Sequence, residues 1–516
     1  MDYRYTGGTS GSSISFLNST ANEDVYISTA NTYTLIFGSY ATSTNKFTLA
    51  SNKRIKIGPS GWSGSGSIQL YNVEINGSSP FTLSINSSSS VNIGNPNFAI
   101  AYSNPFDITS GYFNLSKGTF NDKFTVTKTG TGVNNIYGGN TFNDTLDIRL
   151  GAGNITMHLN ANDAYNEDIY VSNTGTGVLY FGNGGNGCTL ASGKRILIGS
   201  SGFNSGTLSL QKFTQTSTTA QSITLGGTTT SFFIGNSSTF NGTLTIQAPN
   251  IDIGNSTFNK KVTLTKTGSV TNYSYGGNTY NDTLDIRLQA GSLFINYYGN
   301  DVANGDLYVS NTGSGSITLG SSPTFTLATG KKIYIGSAGF ASGTLAFGRF
   351  IQSGTTDQSI TLTSSAAISF GACTFNGRVT ATTPSVFISG ATFNKKFTLI
   401  KNGATNLELT GGNTFNDTVD YQLQNGNILF ATSYNDTYNG DLIVSNTGSG
   451  TMTFGFHGSS TLASGKKIEI GSAGFANGGL TLNRFVQNGT ADQIITLTGT
   501  AGLVIGGHQH LMDVHF

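Results

Sequence analysis

The stretch GGNTFNDTLDIRL at residues 138–150 recurs as GGNTYNDTLDIRL at 276–288 and as GGNTFNDTVDYQL at 411–423. Two further motifs recur in the same order. They are SNTG, at 172, 310 and 445, and TLASNKRIKIG with its relatives, at 48, 189, 326 and 461. A period of about 140 residues that is kept by several motifs indicates a repeat architecture. We therefore expect one continuous solenoid over 1–507, with a partial repeat at 1–137, repeats at about 138–275, 276–410 and 411–507, and a non-repeat tail at 508–516.

A shorter period runs inside each repeat. The aromatic residue of the TFN or TYN triplet returns after 18 and then 22 residues, a step that suits one coil of a β-solenoid. Between the triplets, runs such as KVTLTKTG at 261–268 alternate apolar and polar residues, as strands do. Because the unequal steps break the hexapeptide rule of left-handed coils, the sequence predicts an all-β, right-handed parallel β-helix with coils of about 20 residues.

Stacked coils place residues of the same phase above one another. A one-residue slip would turn an inward side chain to solvent, which explains why the triplet keeps its aromatic residue. The Asn beside it is predicted to form a hydrogen-bonded ladder at a corner. The step from Phe98 to Phe120 is 22 rather than 18, so we expect a bulging loop at 101–111. The predicted core ladder comprises Phe120, Phe142, Phe240, Phe258, Tyr280, Phe375, Phe393 and Phe415.

The composition argues against binding to nucleic acid or to a membrane. Of 516 residues only 10% are charged and the net charge is +1, which gives no electrostatic case for nucleic acid or an anionic membrane. We find no apolar run long enough to span a membrane, and the first residues lack the apolar core of a signal peptide. The chain is therefore expected either to remain unexported or to be a piece of a longer one. Cys188 and Cys373 have no disulfide or metal spacing and are expected to fill space, and no cofactor is predicted.

Several phrases resemble a known group of proteins. TFNGTLTI at 239–246, VSNTGSGSITLG at 309–320, TLASGKKIEIGSAGF at 461–475 and ADQIITLTG at 491–499 resemble the giant secreted β-strand-repeat, adhesin-like surface proteins of Bacteroidetes. The resemblance extends from about residue 22 to 507. It implies an extracellular, cell-surface or filament role and no particular ligand.

The same resemblance implies O-glycosylation where Asp-Thr precedes an aliphatic residue. Thr145, Thr283 and Thr418 fit this pattern, once per repeat. The alternative is that Asp and Thr form a polar turn at a corner of the coil.

Catalysis is not expected, because a catalytic cluster should occur once and break the repeat. Asp147 and Arg149 instead recur as Asp285 and Arg287, and Gln422 replaces the arginine in the last repeat, which indicates a surface ion pair. The basic pairs would either form a stripe that binds acidic polysaccharide or lie solvated in turns. These pairs are Lys53-Arg54, Lys194-Arg195, Lys331-Lys332 and Lys466-Lys467.

Histidines give the remaining candidates. The tail holds His508, His510, Asp513 and His515, which could bind zinc or nickel or could simply belong to a boundary segment. His158 and His457 stand alone and are expected at the surface.

These observations predict a structural segment of an extracellular cell-surface filament, stalk or adhesin that assembles end to end with copies of itself. The alternative is a glycan-binding or glycan-cleaving β-helix. Surface glycans are the other possible partners, and neither nucleic acid nor membrane insertion is expected.

Overall fold

The computed structural model describes residues 2–4, 12–182, 186–506 and 514–515. Within these ranges the chain forms strands, turns and bends and has no helix. Its parallel strands stack into a β-solenoid of about 21 turns with coils of about 23 residues. The predicted all-β parallel solenoid is therefore confirmed. Right-handed winding stays a prediction, and it is the usual sense for parallel strands joined by a crossover.

The coils are longer than the sequence predicts because the repeated aromatic triplet marks only some of them. Phe142 pairs in register with Tyr165, which is not part of a triplet. The following rungs of this sheet are Leu190, Gln215 and Phe240, which lie further apart along the chain than successive triplets do. The spacing between successive triplets gives the length of the short coils only, because the long coils carry no triplet.

The bulging loop predicted at 101–111 is wrong. Two strands, Ile100–Tyr102 and Phe106–Ser110, lie in that segment. Tyr102 pairs with Phe120, so the step between these rungs equals the shorter triplet step of the later repeats. Phe98 is half-buried outside any strand. Asn-Phe at 97–98 resembles the triplet, so the sequence points to Phe98 as the rung below Phe120, whereas the rung is Tyr102.

The chain divides into two compact units, Met1–Lys260 and Lys261–Phe516. In each unit the strands fall, in chain order, on a first, a second and a third face, and most neighbouring strands of a face pair in parallel. The ladder of the first face is interrupted between Ile55–Trp62 and Phe81–Ser84 and between Ile196–Phe203 and Gln221–Thr224. The first face carries the LDIRL strand of the opening motif, and the third carries its TF strand.

Within the described residues of the N-terminal unit each face has eleven strands. The first face comprises Asp2–Arg4, Val25–Thr29, Ile55–Trp62, Phe81–Ser84, Phe106–Ser110, Phe124–Lys128, Leu146–Leu150, Ile169–Asn173, Ile196–Phe203, Gln221–Thr224 and Leu244–Ala248. The second comprises Ser13–Phe16, Thr34–Phe37, Ser67–Leu70, Ser90–Gly94, Tyr112–Ser116, Asn134–Asn135, Ile155–Thr156, Val178–Phe181, Thr207–Gln211, Ser231–Gly235 and Asn250–Ile253. The third comprises Ser19–Ala21, Phe47–Leu49, Val73–Ile75, Ile100–Tyr102, Gly118–Phe120, Thr141–Phe142, Asp163–Tyr165, Cys188–Leu190, Phe213–Gln215, Thr239–Phe240 and Thr257–Phe258.

The C-terminal unit repeats this arrangement. Its first face comprises Val262–Lys266, Leu284–Leu288, Leu307–Asn311, Ile333–Phe340, Gln358–Thr361, Val379–Thr383, Phe397–Lys401, Val419–Leu423, Leu442–Asn446, Ile468–Phe475, Gln493–Ile494 and Val514–His515. The second comprises Asn272–Tyr273, Leu293–Phe294, Ser316–Leu319, Thr344–Phe347, Ala367–Phe370, Ser385–Ile388, Leu407–Glu408, Ile428–Leu429, Thr451–Phe454, Gly479–Leu482 and Gly502–Ile505. The third comprises Thr279–Tyr280, Asp301–Ala303, Phe325–Leu327, Phe350–Gln352, Thr374–Phe375, Thr392–Phe393, Thr414–Phe415, Asp436–Tyr438, Ser460–Leu462 and Phe485–Gln487.

Strand alternation fills the inside of each coil. In Leu146–Leu150 the side chains of Leu146, Ile148 and Leu150 are at most 1% exposed, while Arg149 faces solvent. Because strand side chains point alternately to the two faces, every second residue packs against its counterparts one coil before and after. The interior of each unit is therefore packed mainly with apolar side chains.

Candidate functional site

The GGN part of the opening motif forms the corner between the second and third faces. Gly138 has a φ of +91°, and a Cβ at this position would lie 2.3 Å from the carbonyl oxygen of Ala161 in the next coil, so only glycine fits. The side chain of Asn140 is buried in the corner. Its Oδ1 accepts the backbone N–H of Gly118 at 3.0 Å, and its own backbone N–H donates to Asp163 Oδ1 at 2.7 Å. One asparagine thus connects three successive coils.

The aromatic residue of the triplet points into the coil. Phe120 and Phe142 stack with ring centroids 5.1 Å apart, and Phe375 and Phe393 do so at 5.8 Å. Such offset stacking adds to the free energy gained from burying the rings. The residues of the predicted ladder are at most 1% exposed, namely Phe120, Phe142, Phe240, Phe258, Tyr280, Phe375, Phe393 and Phe415.

The second asparagine of the motif forms a separate ladder on the outside. Asn143 Nδ2 donates to Asn121 Oδ1 at 2.8 Å, and Asn166 Nδ2 donates to Asn143 Oδ1 at 2.7 Å. In the C-terminal unit the same chain of bonds runs from Asn439 through Asn416 and Asn394 to Asn376, with distances of 2.6 to 2.9 Å. The inner amides of each ladder both donate and accept, which links the coils at their solvent-facing corner.

The threonines predicted to carry O-glycans lie at the next corner. Thr145, Thr283 and Thr418 are half-buried. The N–H of Thr283 is accepted by Asp282 Oδ1 at 2.6 Å, and that of Thr418 by Asp417 Oδ1 at 2.7 Å. This geometry is the polar turn that the sequence analysis offered as the alternative. Glycosylation itself stays a prediction.

The repeated charged residues form ion pairs on the first face. Arg149 lies 2.6 Å from Asp147, and Arg287 lies 2.7 Å from Asp285. In the last repeat Gln422 replaces the arginine and donates to Asp420 Oδ1 at 3.3 Å, while Lys396 approaches the same carboxylate at 3.2 Å. The carboxylate is therefore held by a partner in each copy.

The basic pairs lie in the turn that precedes the long strand of the first face. Lys53 pairs with Glu23 at 2.6 Å, and Lys194 pairs with Glu167 at 2.5 Å. The second residue of each pair donates its backbone N–H to an aspartate one coil earlier. The distances range from 2.8 to 3.0 Å in Arg54–Asp24, Arg195–Asp168, Lys332–Asp306 and Lys467–Asp441. These residues therefore organise a turn.

Three buried lysines were missed by the sequence reading. Lys128, Lys266 and Lys401 have no exposed surface, and burial lowers the pKa of each to about 8. Their Nζ atoms donate to carbonyl oxygens of corner residues, for example Lys401 to Asn425 at 2.7 Å and to Gly403. Strand alternation is the signal that could have found them, since Lys128 is in phase with buried residues of FTVTK.

The expectation that His158 lies at the surface is wrong, because the residue is fully buried. Its Nε2 lies 2.5 Å from Tyr165 Oη and 3.3 Å from Asp163 Oδ2. Burial lowers the pKa of His158 to about 3 and raises the pKa of Asp163 to about 7. The imidazole is therefore neutral at physiological pH and contributes a hydrogen bond rather than a charge. His457 is exposed, as expected.

The cysteines are both buried and not disulfide-bonded. Burial raises the pKa of the Cys373 thiol to about 12 and that of Cys188 well above its usual range, so both remain protonated. Of the tail candidates, His508, His510 and Asp513 lie outside the described residues, as does the side chain of His515. Within the part of the chain that is described, no group of three or more His, Cys, Asp or Glu side chains is placed to hold a metal ion. None of the described segments is a helix long and apolar enough to cross a membrane.

No protein-family model matches the sequence, and comparisons with curated proteins and with solved structures give no significant match. The function must therefore be argued from the coil itself.

Proposed function

We propose that the chain is a structural segment of an extracellular cell-surface filament, stalk or adhesin, and that copies assemble end to end. The observation that carries this proposal is the set of ladders built from one motif. The buried asparagine, the stacked aromatic residue and the outer asparagine each connect a coil to its neighbours. Coils that lack the motif are joined by parallel strand pairing, as Cys188–Leu190 is to Phe213–Gln215, so each coil is held by its neighbours and does not unravel alone.

The polar side chains of the repeat support a mechanical role over a catalytic one. Asp163 and Lys128 hold backbone groups at corners, and the Asp147–Arg149 pair lies along a strand. Groups engaged with the backbone of neighbouring coils are poorly placed to touch a substrate. Their recurrence along the chain fits a scaffold, in which each copy needs the same internal support.

End-to-end assembly is supported by the strand Gly502–Ile505. It pairs with Gly479–Leu482 on one side, and Ile505 is 37% exposed. Its counterpart 135 positions earlier, Phe370, is fully buried between two coils. A further coil stacked on this strand, from a second copy or from additional chain, would bury Ile505.

The extracellular location rests on the resemblance of phrases such as VSNTGSGSITLG to secreted β-strand-repeat surface proteins. Assembly is tested by negative-stain electron microscopy and sedimentation velocity over a range of protein concentrations. We expect fibres whose length increases with concentration. Ile505→Lys should shorten them, because Ile505 is 37% exposed and continues the inward column of Leu482, whereas Thr380→Lys on a lateral face should not. Monomers at every concentration would contradict the proposal.

A further inference from the structure

Five aromatic side chains cluster on the outer surface of the C-terminal unit. Tyr273 is 49% exposed, Tyr275 46% and Tyr298 65%, and Phe294 and Tyr297 lie half-buried beside them. They come from two successive coils, since Tyr273 and Phe294 are register partners on the second face. Exposed apolar surface of this kind marks interaction sites on soluble proteins.

The rings contact one another in a fixed arrangement. Tyr273 stacks on Phe294 with centroids 4.9 Å apart, and Tyr297 meets both rings edge-on at 4.7 and 5.9 Å. Tyr298 lies 4.8 Å from Tyr297 and 5.5 Å from Tyr275. The backbone N–H of Tyr298 donates to the carbonyl of Tyr275 at 2.9 Å, so the hydrogen bonds of the solenoid hold the cluster. A surface that is already ordered loses little conformational entropy on binding.

The fold does not require three of these aromatic residues, Tyr273, Phe294 and Tyr298. The same strands form 138 positions earlier, at Asn134–Asn135 and Ile155–Thr156, and 135 positions later, at Leu407–Glu408 and Ile428–Leu429. The residues at the positions of Tyr273, Phe294 and Tyr298 are Asn135, Thr156 and Asn160 in the earlier copy and Glu408, Leu429 and Ser433 in the later one. The cluster therefore breaks the repeat, as a binding site should.

The segments that carry the cluster contain no charged residue. Neither 267–281 nor 288–300 contains Asp, Glu, Lys or Arg, and the next coil continues without charge over 312–326. These segments are instead rich in Ser, Thr, Asn and Gly, whose hydroxyl, amide and backbone groups form hydrogen bonds. These segments offer no charged side chain to an ionic ligand, whereas their hydroxyl and amide groups suit an uncharged polyhydroxyl ligand.

We propose that this cluster binds a neutral oligosaccharide. The faces of aromatic rings carry partial negative charge, and the C–H groups on one side of a pyranose ring carry partial positive charge, so the two stack. Sugar hydroxyls bond to the tyrosine hydroxyls and to the neighbouring polar side chains. Beyond Phe294 the outward column continues with Thr318 and Ala346, whose small side chains leave a strip along which further sugar units lie. This activity goes beyond the scaffold role and does not depend on it.

The experiment is native affinity electrophoresis of the full chain through gels that contain neutral polysaccharides, namely β-glucan, xylan, mannan and dextran, followed by calorimetry with a matching hexasaccharide. The binding variant combines Tyr273→Asn, Phe294→Thr and Tyr298→Asn, the residues that the same fold carries 138 positions earlier. The control is Tyr334→Ala, which removes a 37% exposed aromatic residue of the first face, away from the cluster and its strip.

We expect retardation by at least one neutral polysaccharide, a loss of affinity of tenfold or more in the triple variant, and no change in the control. The proposal is overturned if none of the neutral polysaccharides binds, if only anionic ones bind, or if the triple variant binds like the wild type. It is also overturned if the cluster mediates association between copies of the chain, seen as a monomer shift in sedimentation that only the triple variant produces.

Discussion

The backbone N–H of Asn278 donates to Oδ1 of Asp301 at 2.7 Å, so a fully buried carboxyl group of one coil holds the GGN corner of the coil before it. Asn413 and Asp436 repeat this relationship at 3.0 Å. Burial raises the pKa of Asp301 to about 8 and that of Asp436 to about 6. Because taking a carboxylate out of water is unfavourable, the neutral acid is the form that suits this corner.

Asp301→Asn should therefore change how stability depends on pH. The folded pKa of Asp301 lies above the unfolded value, so its contribution to the free energy of unfolding is complete near pH 4 and is lost as pH rises toward 8. Asparagine keeps the acceptor oxygen and cannot ionise. The variant should resemble the wild type near pH 4 and be more stable near pH 8, by more than about 1.4 kcal/mol, the equivalent of one pKa unit.

The measurement is urea denaturation of both proteins at pH 4, 6 and 8. Burial and the Asp301 carboxylate raise the pKa of the buried Tyr280 well above its usual range, so this phenol stays protonated between pH 4 and 8 and does not contribute to the profile. Asp357→Asn removes an exposed carboxylate and is the control. Equal pH profiles for wild type and Asp301→Asn would show that the carboxyl does not titrate abnormally.

Gly138→Ala separates steric clash from backbone strain. Gly138 and Gly193 have similar φ values of +91° and +84°, but only at Gly138 would a Cβ collide, at 2.3 Å from a carbonyl oxygen. Gly193→Ala should cost about 1–2 kcal/mol, the penalty for an L-residue in the left-handed region. Gly138→Ala should cost clearly more and lower the thermal midpoint further. If both variants had the same thermal midpoint, the tight approach of coils at the GGN corner would be refuted.

Phe393→Ala tests the aromatic column. The Phe393 ring is fully buried, 5.8 Å from Phe375 and 5.4 Å from Phe415. Truncating a buried phenylalanine to alanine costs about 3–5 kcal/mol. Hydrogen exchange should report faster opening of the coils on both sides of residue 393. Phe387→Ala, on the exposed side of the coil, should change stability by less than about 0.5 kcal/mol.

The solenoid and its aromatic column could be predicted because they depend on sequence period. A triplet at fixed spacing places Phe120 and Phe142 on neighbouring rungs, and strand alternation turns both inward. Coils without the triplet, such as those that carry Leu190 and Gln215, give no such signal. The coil length was therefore underestimated.

Buried polar groups were harder to predict because side chains at a corner do not alternate between inside and outside as they do in a strand. Alternation places Lys128 on the inner side of its strand. That corner carbonyls accept hydrogen bonds from its Nζ is seen only in the structure. His158 follows a strand, where alternation no longer determines the direction of the side chain. Its burial depends on Tyr165 and Asp163 in the following strand, and so on tertiary contacts.

Lys401→Met should remove a second pH dependence, of the opposite sign. Burial lowers the folded pKa of Lys401 to about 8, below the value of about 10.4 in an unfolded chain. Between these values the unfolded chain binds more protons, so the stability of the wild type should rise as pH increases from 8 to 9.5. Methionine has a similar length and no charge, and the variant should show a flatter profile of stability against pH over that range.

Denaturation by urea at pH 7, 8 and 9.5 measures this profile, with Lys395→Met at an exposed position as the control. A profile for Lys401→Met as steep as that of the control would mean that the buried amine does not lose its proton in the native coil.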